Sequence, residues 1–280
     1  MNEEKSSFMD QLFTEPVYSD SPQTEALFLK ALQEELIFHY EHNDMYRQFC
    51  NRKGFDPHAE LNDIKQIPPV AVSVFKNLGY GLASVPKEDI KLRLQSSATS
   101  GTPSTVVVDK ITSKRQAKAM VKVMQEFIGK DRKPFLVMDI DPRSEFRSLL
   151  GARFAAITGY LNFASKSGFF LKAKNGVSYF DIDAIKEYLT TIPSDQPVVV
   201  FGFTYIMYSN VLKAILAKGE KIQLPKGSKI IHIGGWKKLE AEKVEKSLFN
   251  QQLADGFGID PTDVIDIYGF TEQMGLNYPD

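Results

Sequence analysis

Residues 198–233 read VVVFGFTYIMYSNVLKAILAKGEKIQLPKGSKIIHI, and this stretch decides the fold. Residues 198–201 are an apolar run of strand length. Residues 205–217 place apolar side chains at helical spacing and meet a stop at Gly219, and residues 229–233 are a second buried-looking strand. Strands alternating with helices of ten or more residues are the sequence form of an α/β sheet covered on both faces.

The alternation extends outward from this unit. Downstream, a helix across 238–249 leads to a strand at 264–267. Upstream, Ile90, Leu92 and Leu94 read as one strand and 106–108 as another; a helix over 112–128 ends at Gly129, and an apolar run follows at 135–140. Residues 145–160 are helical, and Asp181 caps a short helix running to residue 189. At the other end, residues 1–20 read as a loose lead-in. Ser21-Pro22 then opens a helix with Leu29, Leu32, Leu36 and Tyr40 on one face, continuing to about Cys50 and stopping near Gly54. Pro68-Pro69 forbids regular helix, and Val70, Val72 and Val74 alternate as if extended. The expected organisation is a helical extension over 1–60 and an α/β domain of mixed sheets flanked by helices over 61–280.

Composition narrows the function classes. With 280 residues, 43% hydrophobic and 25% charged, the chain can bury a large core. Its 34 Lys+Arg against 35 Asp+Glu give a net charge of -1, which offers no field to hold a nucleic acid. There is no apolar run of membrane-spanning length, and the start, MNEEKSSFMD, is acidic and polar, so a cytoplasmic location is expected. The single cysteine, Cys50, has no partner for a disulfide or metal cluster and reads as packing.

Three segments carry chemistry. Gln95-Ser96-Ser97-Ala98-Thr99-Ser100-Gly101-Thr102-Pro103-Ser104 lies between two strands and is built almost wholly of small or hydroxylated residues. Such a loop can wrap phosphate oxygens with backbone N–H and hydroxyl groups; by composition alone a Ser/Thr linker fits equally. His232-Ile233-Gly234-Gly235-Trp236-Lys237 follows a strand, and its paired glycines let a flat ligand lie against backbone, unless they form a plain tight turn. In Tyr268-Gly269-Phe270-Thr271-Glu272 a strand runs into an aromatic, a glycine, a hydroxyl and a carboxylate, at the strand end where open α/β sheets bind ligands. An edge turn capped by Thr271 is the alternative there. His232 reads as a structural histidine, and Asp139 and Asp141, followed by Pro142, as a turn. No Gly-Lys-Ser/Thr follows the loop, which disfavours a P-loop kinase or NTPase.

Taken in order, the segments resemble the adenylate-forming enzymes. Ser97, Thr99, Gly101 and Pro103 match that superfamily's phosphate loop in register, and Tyr268 to Glu272 match its Tyr-Gly-x-Thr-Glu motif. Ser73-Val74-Phe75-Lys76, the Ser-ending loop and Gly234-Gly235-Trp236-Lys237 are most similar to the LuxE type, the acyl-protein synthetases of bacterial luminescence systems. The resemblance implies the large N-terminal domain of an adenylate-forming enzyme, and ATP-dependent conversion of a fatty acid to acyl-AMP followed by transfer to a protein cysteine. It also implies ATP and Mg²⁺ as cofactors, and an acyl-accepting protein or acyl reductase as partner. By the same resemblance Ser97, Thr99, Ser100, Gly101 and Thr102 hold the β- and γ-phosphates, and Gly234, Gly235 and Trp236 flank the adenine, with Tyr268 and Gly269 on its other side. Thr271 contacts the α-phosphate, Glu272 ligates Mg²⁺, and Phe203 lies near the acyl carboxylate. Ala98 and Ser104 depart from the usual loop, where glycine and lysine are common. The superfamily's ribose aspartate, its C-terminal lysine and the LuxE acceptor cysteine fall beyond Asp280, so a fragment without the lid domain is expected. The same loops fit an acyl- or aryl-CoA ligase resembling phenylacetate-CoA ligase, and a non-catalytic acyl- or nucleotide-binding module.

Overall fold

Lys229–Ile233, here β8, lies inside a parallel sheet, with Ile230, Ile231 and His232 all buried. A computed structural model describes residues 7–96, 102–150, 153–174 and 177–277. The chain divides into two compact units, Met1–Glu126 with Phe270–Gly275, and Phe127–Gly269 with Leu276–Asp280.

In the first unit the long helix Pro22–His42 is capped by Ser21, whose hydroxyl accepts from the Thr24 N–H at 3.1 Å. Asn43 caps the next helix, Asp44–Lys53, and donates from its buried amide to the carbonyls of Gly81 and Ala83, each at 2.9 Å. The helix stops at Gly54, whose φ of 65° suits glycine. The lead-in is not loose over residues 7–15. Phe8–Leu12 is helical, the backbone N–H of Phe8 donates to Glu34 at 2.8 Å, and Lys122 donates to the carbonyls of Phe13 and Glu15. Nor is the stretch after Pro69 extended: Val72 sits in a turn and Val74–Asn77 is a short helix, so the alternating valines belong to no sheet. Strands β1 (Ile90–Gln95) and β2 (Thr105–Asp109) form an antiparallel hairpin, with Gln95 opposite Thr105. Cys50 is fully buried, and burial raises its thiol pKa, which suits packing and not reactivity.

In the second unit β3 (Lys133–Val137), β4 (Ala164–Phe169), β7 (Val199–Phe203), β8 and β9 (Val264–Phe270) are joined in parallel. Within this unit the order is β9-β8-β7-β3-β4, and a separate hairpin pairs β5 (Leu171–Lys174) with β6 (Val177–Phe180). Every residue of β7 is buried, so both faces of the sheet are covered at its centre. Three helices differ from expectation: residues 145–160 hold a 3-10 segment, Glu145–Leu150, and the α-helix Arg153–Tyr160. The predicted 238–249 helix is a 3-10 segment, Lys237–Glu242, followed by the α-helix Lys246–Phe257, which buries Phe249, Leu253 and Phe257 and stops at Gly258. The helix after β7 contains a π-helical stretch, Met207–Leu212.

Candidate functional site

The phosphate-loop reading falls largely on residues outside those described: Ser97, Thr99, Ser100 and Gly101. Its base is defined. The Ser96 N–H donates to the Ser104 carbonyl at 3.1 Å, and the Ser104 N–H donates to the Ser96 hydroxyl at 2.8 Å, so the loop closes a hairpin. Thr102 is exposed on that loop, while Ser104 is fully buried. Within the same unit Glu272 and β2 meet: Thr105, Val107, Asp109 and Glu272 line one cavity of about 950 Å³. Leu36, Ile67 and Phe75 supply its apolar wall, and Arg115, paired with Glu35 at 2.5 Å, lies in its lining. Thr271 is half-buried.

In the second unit the register sets the ends of β7 and β8 beside the middle of β9: Phe203 opposite Ile233, and Ile233 opposite Ile267. Gly234, next in line, has φ of 80°, and a Cβ there would lie 3.9 Å from the Phe203 ring. Gly235 faces open space. On β9, Tyr268 is 58% exposed and Gly269 is exposed. The tryptophan behaves differently. Trp236 is buried against Tyr208 and Phe249, with ring centroids 4.9 and 5.5 Å away.

His232 is a core histidine. Its Nδ1 lies 2.9 Å from the Thr204 hydroxyl and 3.5 Å from an Asp266 carboxylate oxygen. Burial lowers its pKa below 6.5, only partly opposed by Asp266 and Asn250, and Lys246 lowers it further. Since the folded value lies below the unfolded one, His232 contributes stability that is complete above pH 6.5 and is lost as the pH falls toward the folded value. Urea midpoints are therefore expected to fall between about pH 7.5 and 5.5, with a shallower slope in His232→Asn. His39, also lowered by burial, contributes a slope of the same sign that survives in the variant, so the difference between the two proteins isolates His232.

One cluster at the sheet end has no counterpart in the sequence reading. Arg153 forks onto both oxygens of the fully buried Asp139, Nε to Oδ2 at 2.7 Å and Nη2 to Oδ1 at 3.1 Å, and its Nη1 donates to the Tyr205 hydroxyl at 2.8 Å. Burial alone would lower the Arg153 pKa, but the Asp139 bonds hold it above its ordinary value. The pairing spans 14 residues of sequence to Asp139 and 52 to Tyr205, and no local pattern signals either.

The family model for acyl-protein synthetase, LuxE, matches residues 3–280. The chain belongs to the LuxE family. It is 25% identical over 236 residues to the long-chain-fatty-acid–luciferin-component ligase of Vibrio harveyi, covering 81% of this chain and 58% of the relative. The corresponding ligase of Aliivibrio fischeri is 26% identical over 238 residues, with 82% and 58% covered. The LuxE chain in hand thus spans little more than half the length of these relatives. Among solved structures, 2-hydroxyisobutyryl-CoA ligase in the postadenylation state, in complex with 2-HIB-AMP, aligns with a TM-score of 0.61 at 14% identity, covering 93% of this chain and 53% of that one. An open conformation of the same ligase, in complex with 2-HIB-AMP and CoA, gives 0.58 at 15% identity, covering 90% and 51%. These matches show the adenylate-forming fold in this LuxE chain. Among its described residues no helix is long and apolar enough to cross a membrane.

Proposed function

We propose that this chain carries the acid-activating half of an acyl-protein synthetase. A long-chain fatty acid carboxylate attacks the α-phosphorus of ATP, the bond to the β-phosphate breaks, pyrophosphate leaves, and acyl-AMP remains for transfer to a protein thiol in the cytoplasm. The observation that carries the reading is the cavity shared by Glu272 and β2, the strand leaving the hydroxyl-rich loop, because it joins two segments far apart in sequence. Ser97, Thr99, Ser100, Gly101 and Thr102 supply donors to the β- and γ-phosphates, and Thr271 to the α-phosphate. The bare backbone of Gly234-Gly235 and the exposed face of Tyr268 suit adenine, while Phe203 borders the acyl carboxylate.

The donor set fits Mg²⁺. Among the described residues no group of three His, Cys, Asp or Glu side chains could hold a metal alone, and Mg²⁺ characteristically takes one or two carboxylates together with substrate phosphates. When bound, it neutralises charge on the phosphate oxygens. Glu272 is the carboxylate assigned to it. No general base is required, because the attacking carboxylate is already ionised near neutral pH.

Incubated with ATP, Mg²⁺ and hexadecanoate, the chain is expected to exchange labelled pyrophosphate into ATP only when the acid is present, and to yield a hydroxamate without CoA. A requirement for CoA would favour the thioester-forming ligases. ATP binding without acid-dependent exchange would overturn activation altogether and leave a binding module.

A further inference from the structure

We propose that Arg153 is a positioning residue for the acid-binding end of the site, holding Phe203 and Tyr205 at the tip of β7 by a guanidinium anchored on Asp139. The inference rests on the acid-activation reading above, in which Phe203 borders the carboxylate.

Three features of this strand end support it. The first is the number of elements that one side chain spans. Arg153 begins the helix Arg153–Tyr160, takes both oxygens of Asp139 just past β3, and donates to Tyr205 just past β7. Its guanidinium carbon also lies 5.9 Å from the Phe203 ring centre, within reach of a cation–π contact. The second is chemical. A buried ion pair stabilises no better than well-packed apolar groups of the same volume. What arginine adds is direction, because its donors lie in one rigid plane and fix the groups they contact.

The third feature is how tightly the tip is built. A Cβ at Gly202 would stand 2.6 Å from the Met207 sulfur and 3.1 Å from the Met138 Cβ, so a side chain there would displace Met207 from its packing against β7. The chain then enters the π-helical segment Met207–Leu212, a rare form that occurs disproportionately at functional sites. Phe203 and Tyr205 are therefore set from below by packing and from the side by Arg153. With its fork already engaged by Asp139, Arg153 acts through these neighbours and is not itself assigned a contact with substrate.

Two variants test this. Arg153→Lys keeps the charge and loses the fork; Tyr205→Phe removes one hydroxyl and leaves the ring. In acid-dependent pyrophosphate exchange each is expected to raise KM for hexadecanoate about tenfold, the scale of one lost hydrogen bond to a charged group, with KM for ATP unchanged. Calorimetric titration with an acyl-sulfamoyl adenosine, which mimics acyl-AMP, is expected to show the same tenfold weakening, with AMP binding unaltered. If the unmodified chain is active and both variants keep their acid KM and analogue affinity, the positioning role is overturned while the ligase reading stands. A fall in thermal stability with unchanged acid KM has the same meaning. If the unmodified chain shows neither exchange nor analogue binding, both readings fall together. Should Arg153→Lys fail to fold, Tyr205→Phe decides the matter.

Discussion

Asp139→Ala is expected to lower the unfolding free energy by about 3 kcal/mol, the low end of the range for breaking a buried ion pair by removing one partner. The low end is appropriate because 18% of the Arg153 side chain remains exposed, so water recovers part of its solvation, whereas the Asp139 side chain is 1% exposed. The variant removes the carboxylate that accepts two donors of the guanidinium, and with it the acceptor of the Ile140 N–H at 2.8 Å. Urea unfolding checks this: the midpoint should fall with an unchanged m-value. The double variant Asp139→Ala/Arg153→Leu should cost less than the sum of the single changes, because no unpaired charge remains. Single-variant losses below about 1 kcal/mol, the scale of exposed ion pairs, would mean that the pair behaves as a solvated one.

That cluster also shows where sequence stops being informative. β7 is legible because parallel strands buried on both faces are near-continuous apolar runs, as residues 198–201 are, and β8 because Ile230, Ile231 and Ile233 keep it mostly apolar despite Lys229 and His232. β4 was not: Ala164–Phe169 reads ASKSGF, half-exposed, with two serines, a lysine and a glycine, and its strand state comes from pairing with β3. The hairpin of β5 and β6 consists of two four-residue strands with no alternation long enough to register. The helix predicted over 238–249 was placed about one segment too early, although Gly258 with φ of 63° marked the true end. The side chains named for the site were those in contiguous motifs. In sequence Asp139 reads as part of a turn because Pro142 follows nearby, and only the fold brings Arg153 and Tyr205 to it. Trp236 shows how a contiguous motif leaves packing unread: its place beside two glycines suggests a ligand, and its ring also packs on Tyr208 and Phe249.

Glu272→Gln is expected to reduce acid-dependent pyrophosphate exchange by about two to three orders of magnitude, the loss found when one fixed electrostatic contact to the developing transition-state charge is removed. The change keeps the shape of a half-buried side chain in the cavity shared with Thr105 and Asp109, so the fold and its thermal stability should be unaffected. What it removes is negative charge. A neutral amide is a poor ligand for a hard divalent cation, which prefers carboxylate oxygen. The distinguishing measurement is therefore a Mg²⁺ titration. The concentration for half-maximal exchange should rise in Glu272→Gln, while ATP affinity measured without metal stays near that of the unmodified chain. Asp109, which lines the same cavity, provides the control, since its carboxylate accepts the N–H groups of Ile111 and Thr112 at 3.3 and 2.8 Å, and its pKa is lowered. Although burial pushes the other way, these bonds prevail; Asp109 is a helix-capping group, a role asparagine fills about as well, so Asp109→Asn should leave both stability and Mg²⁺ dependence nearly unchanged. If Asp109→Asn shifts the Mg²⁺ titration and Glu272→Gln does not, the metal role passes to Asp109 and the assignment built on Tyr268 to Glu272 fails.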